Sequence, residues 1–171
     1  MKKEGLSDTT IRDILQGAET LSEDLGKKLF ELRYDRRKEM LMTKYEELYQ
    51  KKFTDLPLVV QNMFVDFSYN MRGEYGIFPS QGFRGFPKAC EALKKEDWAA
   101  FAHEIAESDY ADQVGRRASY WVYQLTQLSG KPLTAMTKDV KQEVKSYKKV
   151  QPEIEARIEM ILAHNPTTHI Q

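Results

Sequence analysis

Asp66 is the acid with the least ordinary surroundings in this sequence. It lies in LPLVVQNMFVDFSYNMRG, residues 56–73, a run that is apolar on nearly every side yet ends on Asn70, Arg72 and Gly73. A carboxylate in such a helix either performs chemistry, pairs with an arginine or caps a neighbouring helix. One of the two structural roles is expected, and Arg84, Arg116 and Arg117 are the candidate partners for pairing. A second pair of acids, Glu4 and Asp8, stands in the polar stretch EGLSDTT. An acid catalyst needs apolar surroundings to keep its proton near neutral pH, and nothing apolar surrounds Glu4. Glu104, Glu107, Asp109 and Asp112 read as a solvated face. Cys90 has no histidine placed to activate it, so packing is its expected role. His103, His164 and His169 show no ligand spacing, and one cysteine excludes a cysteine-rich zinc site. No glycine motif that cradles phosphate occurs. Neither a metal nor a cofactor is expected.

Composition bounds the partners. Lysine plus arginine equals aspartate plus glutamate at 26 each, so the formal charge is zero. No whole-molecule field draws the chain to nucleic acid. The lysine-rich stretch KDVKQEVKSYKK, residues 138–149, carries interleaved acids that weaken its local field, and it reads as a solvated helix face. The N-terminus MKKEGLSDTT has lysines but no apolar region behind them, so it is not read as a signal peptide. No stretch approaches the roughly 20 apolar residues of a membrane span. Neither a nucleic-acid nor a membrane partner is expected.

These side chains must be positioned by helices, because helical periodicity is everywhere and strand patterns are nearly absent. A short helix is expected over Ser7–Gln16, capped by Ser7 and stopped by Gly17. A long one starts at Ser22 and runs to about Lys51, with Leu25, Leu29, Leu32, Arg36, Met40, Tyr45, Leu48 and Tyr49 on a drifting stripe. Its heptads are poor, so it reads as a helix between two lobes rather than as a coiled coil. The apolar run from Pro57 is the central core helix. A loop over Gly73–Gly85 follows, rich in glycine and still carrying Tyr75, Ile77, Phe78 and Phe83. Helices are then expected over Phe86–Lys94, Asp97–Glu107 and Asp112–Leu128. Ser129-Gly130-Lys131-Pro132 is a break. Beyond it Val140, Val144 and Tyr147 form one helical pattern. Ile154, Ile158, Ile161 and Leu162 form another after Pro152, together reading as a helical hairpin.

Several short motifs follow one another in a recognisable order. LSEDLGKKLF occupies residues 21–30, and the central helix ends in Tyr69-Asn70-Met71-Arg72-Gly73. Gly85-Phe86 opens a short helix, and Leu93 precedes Trp98. Ala99-Ala100, Ser108-Asp109-Tyr110, Gln113 and Arg117-Ala118 complete the series. This order resembles the helical lobe of phage-type lysozymes and their pesticin-type and animal relatives, with one inserted arginine at Arg72 and tyrosine at 110 where the family usually has tryptophan. The resemblance covers about Leu21 to Leu128.

The resemblance implies an all-α fold: a lysozyme-like helical lobe with a long inter-lobe helix and a C-terminal helical extension. It implies segments 1–20, a remnant or linker, 21–128, the lobe, and 129–171, the extension. It implies that the end of the central helix faces a glycan cleft, with Asn70, Arg72, Gly73, Gln113 and Arg117 as the substrate-binding candidates. Such enzymes protonate a glycosidic oxygen with one carboxylic acid and use a second carboxylate or a positioned water opposite. In the family these groups lie in an N-terminal lobe with a Thr-x-Gly-x-Gly stretch, which does not occur here. EGLSDTTIRDIL is similar to the linker that follows that lobe. No catalytic residue is therefore assigned. The expectation is a protein that binds peptidoglycan or a related amino-sugar polymer, or is inactive alone. The alternative is a helical adaptor or inhibitor that binds another protein through the cleft or the C-terminal hairpin. A glycan binder should gather polar groups and exposed aromatics around one groove, and an adaptor should present an apolar patch.

Overall fold

The structure is a computed structural model that describes residues 22–70 and 75–164, and the side chains of these apart from Leu25 and residues 157–164. The expected Ser7–Gln16 helix, Glu4, Asp8, Arg72 and Gly73 lie outside the described residues. Among the described residues the fold is all-α: α1 Glu23–Tyr49, α2 Leu58–Asn70, α3 Pro87–Lys94, α4 Trp98–Ala106, α5 Asp109–Val114, α6 Arg116–Ser129 and α7 Lys138–His164. No described helix is long and apolar enough to cross a membrane. The chain divides into two compact units after Phe53.

In the first unit, Glu23 and Asp24 in the first turn of α1 complement the positive end of its dipole. The drifting stripe has a physical cost. Leu32 and Leu48, expected on the apolar face, are exposed, whereas Leu41 and Tyr45 are buried. Tyr45 packs edge-on against buried Phe53 at 5.7 Å and against Tyr49 at 4.9 Å. The helix stops at Gln50, which takes a left-handed φ of 54°. Its amide donates to the Glu46 carbonyl, and Glu46 Oε1 accepts from the Phe53 amide.

In the second unit α2 is the core helix, as its composition requires. Val60, Met63, Phe64, Val65 and Phe67 are all buried. Phe64 has Phe67, Phe78 and Phe101 around it with ring centroids 5.1–6.2 Å apart. Phe78 arrives from the glycine-rich loop. Gly85 closes that loop at φ +70°, where an added Cβ would lie 2.5 Å from the Ile77 carbonyl oxygen. Pro87 begins α3 at a position where its missing N–H costs nothing. Asp97 caps α4 by accepting from the Ala100 amide at 3.1 Å.

Two boundaries differ from the sequence expectation. The single helix expected over Asp112–Leu128 is two helices, α5 and α6, because Gly115 takes φ 52° and both ends one and begins the other. The expected C-terminal hairpin is one continuous helix, α7, with Pro152 inside it. The residues beside Pro152 are helix formers, and no glycine or turn dipeptide lies between it and His164 to let the chain reverse. Gly130 at φ 63° does end α6, as the Ser-Gly-Lys-Pro break predicts. Val140, Val144 and Tyr147 bury one face of α7 against α6, with the Tyr147 ring edge-on to Tyr120 at 5.6 Å and tilted against Tyr123 at 4.8 Å.

Candidate functional site

The polar end of α2 meets the starts of α5 and α6. Asp66 and Asn70 stand at i and i+4 on α2 and so share a face. Asn70 Nδ2 donates to the Asp66 backbone oxygen at 2.8 Å and to Asp66 Oδ1 at 3.0 Å. Tyr110 is the second residue of α5, and its ring lies edge-on to Phe67 at 4.9 Å. Its hydroxyl donates to Asp66 Oδ2 at 2.8 Å. Arg117 and Trp121 stand at i and i+4 on α6. Arg117 Nη1 donates to Asp66 Oδ1 at 3.1 Å, and Trp121 Nε1 donates to Asp66 Oδ2 at 2.8 Å. Arg117 Nη2 also donates to Asn70 Oδ1 at 2.9 Å. The turn at Gly115 lets Tyr110 and Arg117 reach the same carboxylate from two helices.

Each Asp66 oxygen accepts two hydrogen bonds, which fills the roughly four lone-pair sites of a carboxylate. The side chain is held by four donors. Its role is a clasp joining three helix ends. The Asp66 side chain is 18% exposed and that of Arg117 56%, so the ion pair is wet on the arginine side. The Tyr110 phenol is pushed well above its usual range, first by burial, then by its hydrogen bond to Asp66 and the charge of that carboxylate.

Of the residues the sequence singles out, Asn70 and Arg117 are brought together by a direct hydrogen bond. Among the candidate partners of Asp66, the cation is Arg117, while Arg84 and Arg116 are exposed. Gln113 is exposed on α5 and stands outside the clasp. Tyr69, beside Asn70, is 45% exposed. Tyr110 and Trp121 complete the site and were not expected there. The available signal was the repeated i, i+4 spacing, Asp66 with Asn70 and Arg117 with Trp121, which aims two polar groups from each helix at one point. Cys90 is half-buried, and its thiol donates to the Ile77 carbonyl oxygen at 3.5 Å.

Two other features bear on ligands. His103, Glu107 and Asp139 converge on one surface point. A groove of about 450 Å³ is lined by Leu133, Thr134 and Val144 and flanked by Lys141, Lys145 and Lys148. No family model, curated protein or solved structure matches this chain.

Proposed function

We propose that this chain is a lysozyme-like helical protein, related to the phage-type muramidases, that binds a β-linked amino-sugar polymer such as peptidoglycan without cutting it. The observation that carries the reading is the Asp66–Asn70–Arg117 clasp. It gathers planar polar side chains at the end of an apolar helix, where Tyr69, the residue before Asn70, is exposed. Amide, guanidinium and aromatic groups suit the hydroxyls, acetamido groups and apolar sugar faces of such a polymer. The order of motifs from Leu21 to Ala118 supports the same family. Saturation of Asp66 by four donors supports binding over hydrolysis, because the best-placed acid of the central helix is already engaged.

The experiment is co-sedimentation with purified peptidoglycan alongside a turbidity assay. The expected result is sedimentation with the polymer and no clearing. Tyr69→Ala and Gln113→Ala should release the protein from the pellet while leaving the thermal midpoint unchanged. Clearing by the wild-type chain would show a catalytic acid and refute the non-hydrolytic reading. No sedimentation would remove the glycan reading altogether.

The lysine-flanked groove at Val144 supports a second reading, an adaptor that receives an acidic amphipathic segment of another protein. Failure to bind glycan, together with loss of a partner on Leu133→Asp at the exposed rim of the groove, would favour it.

A further inference from the structure

His103 and Glu107 stand four residues apart, His103 in the last turn of α4 and Glu107 as its C-cap residue. The spacing puts both side chains on one face, and His103 Nε2 lies 3.4 Å from Glu107 Oε2. Asp139, in the first turn of α7, brings a second carboxylate to the same point. The three ligand atoms all lie within 4.8 Å of one another. Donors around a tetrahedral zinc with bonds of about 2.0–2.1 Å sit roughly 3.4 Å apart, so small side-chain rotations close the set. The imidazole is already oriented. Its Nδ1 is 3.1 Å from Thr137 Oγ1, which leaves Nε2 aimed at the carboxylates. Metal-bound histidines are held in this way by a hydrogen bond on the ring nitrogen that does not ligate. Among the described residues no lysine or arginine salt bridge reaches Glu107 or Asp139. Two carboxylates therefore face one imidazole with no side-chain cation between them. His103 and Glu107 remain 30% and 48% exposed, so an ion can enter from solvent and keep water in its remaining positions.

We propose that His103, Glu107 and Asp139 form a surface site for a divalent transition metal, with zinc the natural fit to one nitrogen and two oxygens, which ties the end of α4 to the start of α7. Imidazole favours zinc, copper, nickel and cobalt over calcium and magnesium, which prefer oxygen alone. The site is independent of the Asp66 clasp and of any glycan role.

The test is calorimetric titration of the metal-free full chain with zinc chloride, with cobalt chloride as a spectroscopic probe. The expected result is saturable binding at one ion per chain, visible cobalt bands, and a thermal midpoint that climbs with zinc concentration. His103→Ala and Asp139→Asn should each weaken binding by more than about tenfold, and Thr137→Val by about tenfold through the lost orienting bond. The double variant His164→Ala/His169→Ala should bind as the wild type does. Circular dichroism checks that each variant is folded. Absence of saturable zinc binding overturns the proposal. So does binding that survives His103→Ala, or that disappears in the His164/His169 double variant.

Discussion

Arg117 Nη1 lies 3.1 Å from Asp66 Oδ1, joining the second residue of α6 to the last turns of α2 across 51 residues of chain. The contact is a salt bridge in form, yet the arginine is more than half exposed. The neutral donors of the same cluster are less exposed, Tyr110 being buried and Trp121 half-buried. That division decides which change is costly. Removing the arginine takes away a partner that water can partly replace, and exposed pairs contribute about 0–1 kcal/mol. Removing the carboxylate leaves two poorly hydrated donors without acceptors, at about 1–3 kcal/mol each. We expect Asp66→Ala to destabilise the protein by about 3 kcal/mol and Arg117→Ala by about 1 kcal/mol. Urea unfolding of both variants checks the ranking. Equal losses would mean that the ion pair, not the neutral donors, dominates the clasp.

Tyr110 gives the clasp a pH dependence at the alkaline end. Its folded-state pKa is raised, first by burial and then by Asp66. A raised pKa means that the folded state favours the neutral phenol. The corresponding stability is fully present below the unfolded value of about 10 and is lost as pH climbs above it towards the folded value. Tyr34 and Tyr147 are also raised, mainly by burial, and slope in the same direction. The measurement is therefore a difference. Tyr110→Phe should cost about 1 kcal/mol at neutral pH through the lost hydrogen bond. Between about pH 10 and 11 its stability should fall less steeply than that of the wild type. Parallel curves for the two proteins would place the alkaline sensitivity elsewhere.

Much of this arrangement is legible in the sequence, for identifiable reasons. A segment apolar on nearly every side with proline at its start reads as a core helix, and α2 is one. An acid inside it needs a partner, and an arginine supplies part of that need. The burial of Val140, Val144 and Tyr147 follows from their spacing alone. What escaped reading depends on contacts between distant segments. Trp121 looks like any core aromatic until α6 is laid against α2, where its indole N–H rather than its ring decides its place. His103 and Glu107 have a ligand spacing that is common on solvated helices, and only Asp139 from another helix gives it meaning. Gly115 was missed for another reason. A lone glycine within a helical pattern costs only about 1 kcal/mol, so periodicity carried the expectation straight through it.

Gly85 shows where a motif residue has a steric cause. At φ +70° any L side chain is strained, and an added Cβ would press on Ile77 O at 2.5 Å and Pro79 N at 2.9 Å, both backbone atoms that cannot rotate away. Gly82 has a similar φ of +74° but nothing within 4 Å of an added Cβ. Gly82→Ala should cost about 1–2 kcal/mol from the left-handed backbone alone. Gly85→Ala should add an overpacking cost, for a total of about 2–4 kcal/mol. It should also disturb Phe78, two residues before Ser80 in the same loop and packed on Phe64 at 5.1 Å. Thermal unfolding of the two variants separates the terms. Similar midpoints would mean that the loop yields, and that close approach is not the reason for glycine at 85.

Pro152 is the sharpest conflict between local preference and observed structure. Inside α7 it lacks the N–H that would bond the carbonyl of Lys148, and its ring crowds that carbonyl. Read locally, it divides the tail in two; in the structure the helix continues through it from Lys138 to His164. Pro152 is exposed, so its replacement loses no packing. Pro152→Ala should restore the missing bond at a site already helical. Proline lies about 3 kcal/mol below alanine in a helix interior, offset by up to about 1 kcal/mol because it also restricts the unfolded chain. The net expectation is about 2 kcal/mol of added local stability. It should appear as slower amide exchange over residues 148–156, with little change in the core. Were residues 152 onward a second helix turned back on the first, alanine there would remove a turn-favouring residue, and exchange across the same segment would quicken or stay the same.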